Sequence, residues 1–198
     1  MKYGILGGTF DPPHLGHLHV AKAALAGLGL DEIIWVPAAT NPFKDQKENI
    51  TAARKRFEMV KLTIENEPNM SVSDLEITRG GASYTADTLQ EMQMVLKGDF
   101  WIVIGADNLS EFMTWYQAEK ILRTSRVAVF SRPGIDLDNM LPRLSEFLTP
   151  KLDVIPIEPV DISATSIRKR VQKEESIEAQ VTPAVWEYIQ KTGLYKTK

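Results

Sequence analysis

At 198 residues, with 43% apolar and 25% charged residues, the chain suits one soluble domain, residues 1–198, with a sizeable core. A formal net charge of -3 gives no electrostatic reason to expect nucleic acid, and a cluster such as Arg168-Lys169-Arg170 is too short to track a phosphate backbone. The absence of cysteine excludes a disulfide scaffold. It suits a reducing cytoplasm, and there is neither a signal-type apolar region nor a run of about 18 apolar residues, so the expectation is a cytoplasmic protein without a membrane partner, as a monomer or small homo-oligomer.

Strand-like runs recur in chain order at Tyr3 to Leu6, Glu32 to Val36, Met70 to Leu75, Trp101 to Ile104, Val127 to Ser131 and Leu152 to Pro156. Helix-like segments lie between them: His17 to Leu28, stopped near Gly29; Thr51 to Ile64, closed before Pro68; Thr85 to Leu96, closed by Gly98; and Asp138 to Leu148. A last helix is punctuated by Thr182 as N-cap, Pro183 at its first position and Gly193 past its end. This alternation predicts an α/β fold, a doubly wound and mostly parallel sheet with a C-terminal helical segment. Pro37 to Ile50 is the longest irregular stretch, readable as a solvated connector or as a binding loop.

The stretch Gly7-Gly8-Thr9-Phe10-Asp11-Pro12-Pro13-His14-Leu15-Gly16-His17 joins the first strand to the first helix. Paired glycines let backbone N–H groups approach an anion, and the helix N-terminus adds unpaired donors and the positive end of a macrodipole. His14 and His17, three residues apart, fall on one face of the first helical turn. A polyphosphate is the natural occupant. Neither G-x-x-x-x-G-K-[ST] nor G-x-G-x-x-G is present. Metal ligation by the two histidines is disfavoured, because the chain has no cysteine and its third histidine, His19, faces elsewhere. Asp11, before two prolines, reads as a turn former rather than a catalytic group.

This segment resembles the GTFDP...HxGH signature of the nucleotidyltransferase superfamily that includes nicotinate mononucleotide, phosphopantetheine and glycerol-phosphate members. The similarity to bacterial-type nicotinate mononucleotide adenylyltransferases continues along nearly the whole chain, at Asn41-Pro42-Phe43-Lys44, Arg56-Phe57-Glu58-Met59, Ser83 to Leu89, Gly105-Ala106-Asp107, Trp115-Tyr116 and Ile162 to Arg168. One departure is visible: Ala164 stands where the family more often has serine. The resemblance implies a Rossmann-like nucleotidyltransferase fold and transfer of the adenylyl group of ATP to nicotinate mononucleotide, giving nicotinate adenine dinucleotide and pyrophosphate in NAD biosynthesis.

Such a reaction is an in-line attack on the α-phosphorus, needing positioning and charge neutralisation more than covalent chemistry. The resemblance places ATP against Gly7, Gly8, Thr9, Phe10, His14, His17, Gly105, Asp107, Ser163, Thr165 and Arg168. His14 and His17 would hydrogen-bond the phosphates, and a nearby polyanion should favour their protonated forms. Ser163 and Thr165 sit at a helix start where capping and phosphate binding use the same donors, with Arg168 one turn inside to grip the phosphates as a fork. Lys44 is a further catalytic cation for the triphosphate or the attacking phosphate. Asp107, just past a strand, is placed for ribose hydroxyls or for simple N-capping. Thr85, Trp115 and Tyr116 read from residue type as a helix cap and buried aromatics; the resemblance makes them the pyridine-carboxylate site, with Thr85 at the helix start and the rings for stacking. Magnesium is expected with ATP, held by phosphates and water rather than by a protein carboxylate cage.

Two other readings keep the fold. One is an adenylyltransferase for another phosphate acceptor, nicotinamide mononucleotide or phosphopantetheine; the other is a non-catalytic nucleotide sensor, against which the presence of both His14 and His17 argues.

Overall fold

The computed structural model describes residues 1–40, 50–130, 140, 146–158 and 160–196. Six strands form one sheet in the order β3-β2-β1-β4-β5-β6: β1 (Lys2–Gly8), β2 (Glu32–Pro37), β3 (Met70–Val72), β4 (Asp99–Gly105), β5 (Arg126–Phe130) and β6 (Leu152–Ile155). Each neighbouring pair is parallel. The order reverses between β1 and β4, so the crevice beyond their carboxyl ends is the topological switch point of a doubly wound sheet, where ligands bind such folds.

Strand periodicity explains how both faces are covered. In β4, Phe100, Ile102 and Ile104 join one apolar cluster, while Trp101 and Val103 join another. In β2 the same alternation sends Ile34 and Val36 one way and Ile33 and Trp35 the other. The first cluster is roofed by α4 (Thr85–Val95), α5 (Ala106–Leu109) and α6 (Ala118–Thr124), through Leu89, Met92, Leu109 and Ile121. The second is roofed by α1 (Leu15–Leu28) and α2 (Ala53–Ile64), through Leu18, Ala21, Ala24 and Val60. Burying each of these larger apolar side chains stabilises the fold by roughly 1.5–3 kcal/mol.

A third cluster holds the C-terminal helical segment, α7 (Ala164–Gln172) and α8 (Pro183–Thr192), against α2. Met59 of α2 packs there with Ile167, Val171, Ile177, Val181, Val185 and Ile189. The last helix ends at Gly193 with φ 64°, as its glycine implies. Thr182 occupies the N-cap position without a side-chain capping bond. Among the described residues no helix is long and apolar enough to cross a membrane.

Two sequence expectations need correction. The strand expected to run from Met70 to Leu75 stops at Val72, and Leu75–Arg79 forms a short helix, α3, its first turn closed by the Thr78 N–H on the Asp74 carbonyl at 2.8 Å. The helix expected from His17 begins at Leu15, with His14 as an extended N-cap residue (φ -147°, ψ 169°). Helix α6 carries no cap signal and starts after Gln117, which adopts φ 54°. The helix expected over Asp138 to Leu148 lies largely outside the described residues, of which Met140 is helical.

Candidate active site

A cavity of about 250 Å³ opens at the switch point. Gly7 and Gly8 from the end of β1, Val36 from β2 and Gly105 from the end of β4 line it, together with His17, Thr85 and Trp115. Six of the residues expected from sequence to hold substrate, Gly7, Gly8, His17, Thr85, Gly105 and Trp115, therefore converge on one space. A Cβ built at Gly7 would meet nothing within 4 Å, so glycine there leaves the cavity wall open and the main chain bare.

The loop between β1 and α1 is built around the two histidines. Their rings stack with centroids 3.7 Å apart and planes 29° from parallel. The backbone N–H of His14 donates to Nδ1 of His17 at 3.2 Å. That nitrogen is an acceptor here, so the proton of the His17 ring sits on Nε2. Gly16 leaves room for the His14 ring, since a Cβ there would press on it at 3.0 Å from Nδ1. Beneath the pair, Phe10 packs edge-on against His17 at 5.0 Å and against Trp35 at 5.2 Å. Its backbone is left-handed (φ 52°), a conformation that costs a bulky residue on the order of 1–3 kcal/mol. Phe10 is 3% exposed and belongs to the second apolar cluster, so its ring supports the site from within the core.

The start of α1 is less bare than its sequence implies. The N–H of Leu15 donates to the carbonyl of Gln180 at 2.9 Å, because the segment before α8 packs across it. His19 is turned away, its Nε2 lying 3.2 Å from the carbonyl of Glu158. Asp11, expected to be a turn former, has its carboxylate engaged far outside its own turn. Its carboxylate, 3% exposed, accepts the N–H of Thr51 at 3.1 Å and the hydroxyl of Tyr195 at 2.6 Å.

At the second anion site, Ser163 caps α7, its hydroxyl accepting the N–H of Ser166 at 3.2 Å. Arg168 donates to the carbonyl of Asp11 at 2.8 Å and to the Thr165 hydroxyl at 3.4 Å. Ile162 approaches Gly16, so the two motifs, about 150 residues apart, meet. Lys44 lies outside the described residues.

On the opposite wall, Trp115 and Tyr116 line a smaller recess with Ser83, Tyr84 and Thr85, and the rings of Tyr84 and Tyr116 are 4.8 Å apart. Thr85 is the first residue of α4 rather than its cap; Tyr84 takes the cap position in an extended conformation with no side-chain capping bond. The helix ladder starts with Asp87 N–H on the Tyr84 carbonyl at 3.1 Å, so the N–H groups of Thr85 and Ala86 precede it. Asp107 is exposed in the first turn of α5, folded back so closely that a Cβ on Gly105 would strike its carboxylate. It sits at the rim rather than on the cavity wall.

Sequence patterns give no role to three residues that build this site. Arg56 is 2% exposed and donates to four main-chain carbonyls, those of Thr51 at 2.8 Å, Thr9 at 2.6 Å, Ala38 at 2.6 Å and Ala39 at 3.3 Å. Burial lowers its pKa, opposed by the nearby negative charge of Asp11. Its position in register with Met59, Val60 and Thr63 on the buried face of α2 is the signal that singles it out. Ser83 ties α4 to the end of β2, its hydroxyl accepting the Ala39 N–H and its N–H donating to the Thr40 carbonyl, both at 2.9 Å. Glu76, 6% exposed, lines the cavity and accepts the Thr88 hydroxyl at 2.6 Å.

Among the described residues no three His, Cys, Asp or Glu side chains converge on a metal position. The two carboxylates buried beside the cavity, Asp11 and Glu76, are engaged in hydrogen bonds. These residues fit a divalent ion carried on a nucleotide's own phosphates better than one held by the chain.

Residues 5–170 match the cytidylyltransferase-like family. A Dehalococcoides mccartyi protein named as a probable nicotinate-nucleotide adenylyltransferase is 39% identical, the match covering 100% of this chain and 98% of that one. A protein of the same name from Caldicellulosiruptor bescii is 38% identical over 99% of this chain and 100% of its own. Among solved structures, Plasmodium falciparum nicotinic acid mononucleotide adenylyltransferase complexed with NaAD shares the fold at TM-score 0.78, with 24% identity over 98% of this chain and 97% of that one.

Proposed function

The chain belongs to the cytidylyltransferase-like family and, within it, to the nicotinate-nucleotide adenylyltransferases, and on that premise we propose that residues 1–198 work as one domain that joins the adenylyl group of ATP to nicotinate mononucleotide. The products are nicotinate adenine dinucleotide and pyrophosphate. The observation that carries this reading is the meeting of His17, Gly7, Gly105, Thr85 and Trp115 around one cavity at the carboxyl ends of β1 and β4.

An oxygen of the acceptor's phosphate attacks the α-phosphorus of ATP, a new P–O bond forms, and the bond to the β-phosphate's bridging oxygen breaks. No protein nucleophile is consumed. The chain holds the two phosphates in line and stabilises charge as it spreads over the phosphoryl oxygens. Nε2–H of His17 donates to those oxygens, with His14 stacked behind it and locking its Nδ1. Arg168 brings a guanidinium fork from the far side, with Ser163 and Thr165 at the start of its helix. Gly8, Thr9 and Phe10 offer main-chain groups, Asp107 at the rim takes ribose hydroxyls, and Lys44 supplies a further cation. Mg²⁺ accompanies the nucleotide and neutralises its phosphates.

For the acceptor, Trp115 stacks on the pyridine ring and Tyr116 closes the recess beside it. The backbone N–H groups at the start of α4, Thr85 among them, receive the ring's carboxylate; an amide would set its NH₂ against those donors. The test is direct: purified protein with Mg-ATP and nicotinate mononucleotide should yield the dinucleotide and pyrophosphate in equal amounts. Pyrophosphate without dinucleotide would sink the transfer reading.

A further inference from the structure

Tyr195 lies beyond residues 5–170, which match the cytidylyltransferase-like family, and has no part in the chemistry above, yet it reaches the centre of the phosphate loop. Its hydroxyl donates to Oδ1 of Asp11 at 2.6 Å across 184 residues of sequence. Oδ2 of the same carboxylate accepts the Thr51 N–H at 3.1 Å, and the Asp11 carbonyl accepts Arg168 at 2.8 Å. One residue of the loop therefore joins the end of the chain, the approach to α2 and the guanidinium expected to meet ATP.

The chain end is shaped for this contact. After α8 the backbone turns left-handed at Gly193 (φ 64°) and again at Tyr195 (φ 66°), where a side chain makes that conformation unfavourable. The turn is closed by the Leu194 N–H on the Ile189 carbonyl at 3.2 Å, and it sends the Tyr195 ring back toward the loop. Burial, with the adjacent Asp11 carboxylate, pushes the phenol's pKa upward, so it stays a proton donor. A hydrogen bond from a half-buried hydroxyl to a buried carboxylate is among the stronger of its kind.

We propose that Tyr195 is a positioning residue for adenylyl transfer: by holding the Asp11 carboxylate it fixes the loop that carries Thr9 and Phe10 and the carbonyl that orients Arg168 toward the triphosphate. This rests on the adenylyl-transfer reading of the site.

Tyr195→Phe keeps the ring and removes only the donor. The account expects the KM for ATP to rise about five- to tenfold, the KM for nicotinate mononucleotide to stay within about twofold, and the Kd for a non-hydrolysable ATP analogue to rise with the KM. Asp11→Asn breaks the contact from the other side and should move the same constants in the same direction. Combined with Arg168→Lys, Tyr195→Phe should add less than it costs alone, because the two act through one carbonyl. A folded Tyr195→Phe enzyme with a lower Tm but unaltered ATP constants would overturn the proposal, as would equal weakening of both substrates. The analogue titration needs no turnover, so a wild-type protein that binds the analogue but transfers nothing would sink the functional reading while leaving Tyr195 testable.

Discussion

The backbone N–H of His14 donates to Nδ1 of His17 at 3.2 Å while the two rings stack with centroids 3.7 Å apart. The second histidine is thereby held in one tautomer and one orientation by the first, before any ligand arrives. Such preorganisation is what an electrostatic contribution to the transition state requires.

His17→Ala should accordingly lower kcat by about 10²-fold or more with little change in the KM for ATP, since a preorganised donor aimed at developing charge contributes roughly 2.7–4 kcal/mol in the transition state. Steady-state kinetics at saturating acceptor reads this. A near-normal kcat would take His17 out of catalysis.

Arg168→Lys keeps the charge and loses the fork. One guanidinium nitrogen is already spent on the Asp11 carbonyl and another approaches Thr165, so phosphate contact depends on the remaining planar donors. An ammonium cannot serve both sides. The KM for ATP should rise by about tenfold, from the loss of one charge-assisted bond; an unchanged KM would return Arg168 to a purely structural role.

Much of the fold is legible because strands of a parallel sheet are short apolar runs with both faces buried: Glu32–Pro37 and Asp99–Gly105 could hardly be read otherwise. The phosphate loop is legible because Gly7 to His17 are neighbours in sequence. Helices α3 and α6 escape notice, being five and seven residues long without side-chain capping bonds. The contacts of Arg56 and Tyr195 escape for a different reason. Their partners Thr9 and Asp11 are 47 and 184 residues away, and only the packing of α2 and the C-terminal helices brings them together.

Arg56 gives a stability test. Arg56→Met fills similar volume but strands the carbonyls of Thr51, Thr9, Ala38 and Ala39, and a buried acceptor costs about 1–3 kcal/mol when unsatisfied. Chemical denaturation should show a loss of about 3 kcal/mol or more. A loss under about 1 kcal/mol would mean that water replaces the guanidinium without cost.

The sheet's far edge carries a pH-dependent contact. Asp153 accepts two bonds from Arg126, at 2.6 and 2.9 Å, and one from Trp101 at 2.8 Å. The Arg126 hydrogen bonds hold the Asp153 carboxyl below the usual carboxylate range, against the opposing effect of burial. A depressed folded-state pKa means that the stabilisation is complete above the ordinary carboxylate pKa of about 3.9 and fades as pH falls through the lower folded value. Asp153→Asn should therefore lower Tm at neutral pH, and its deficit against the wild type should shrink below about pH 4. A deficit independent of pH would assign the effect to packing rather than charge.

Recognition of a pyridine carboxylate at the start of α4 is the central claim, and one comparison tests it: kcat/KM for pyrophosphate release from Mg-ATP with nicotinate mononucleotide, nicotinamide mononucleotide and phosphopantetheine in parallel. An amide leaves a buried donor unsatisfied at about 1–3 kcal/mol, so the acid should be preferred over the amide by roughly tenfold to a hundredfold, and phosphopantetheine, which offers Trp115 no aromatic ring, should be the poorest of the three. Equal use of acid and amide, or a preference for phosphopantetheine, would contradict the account.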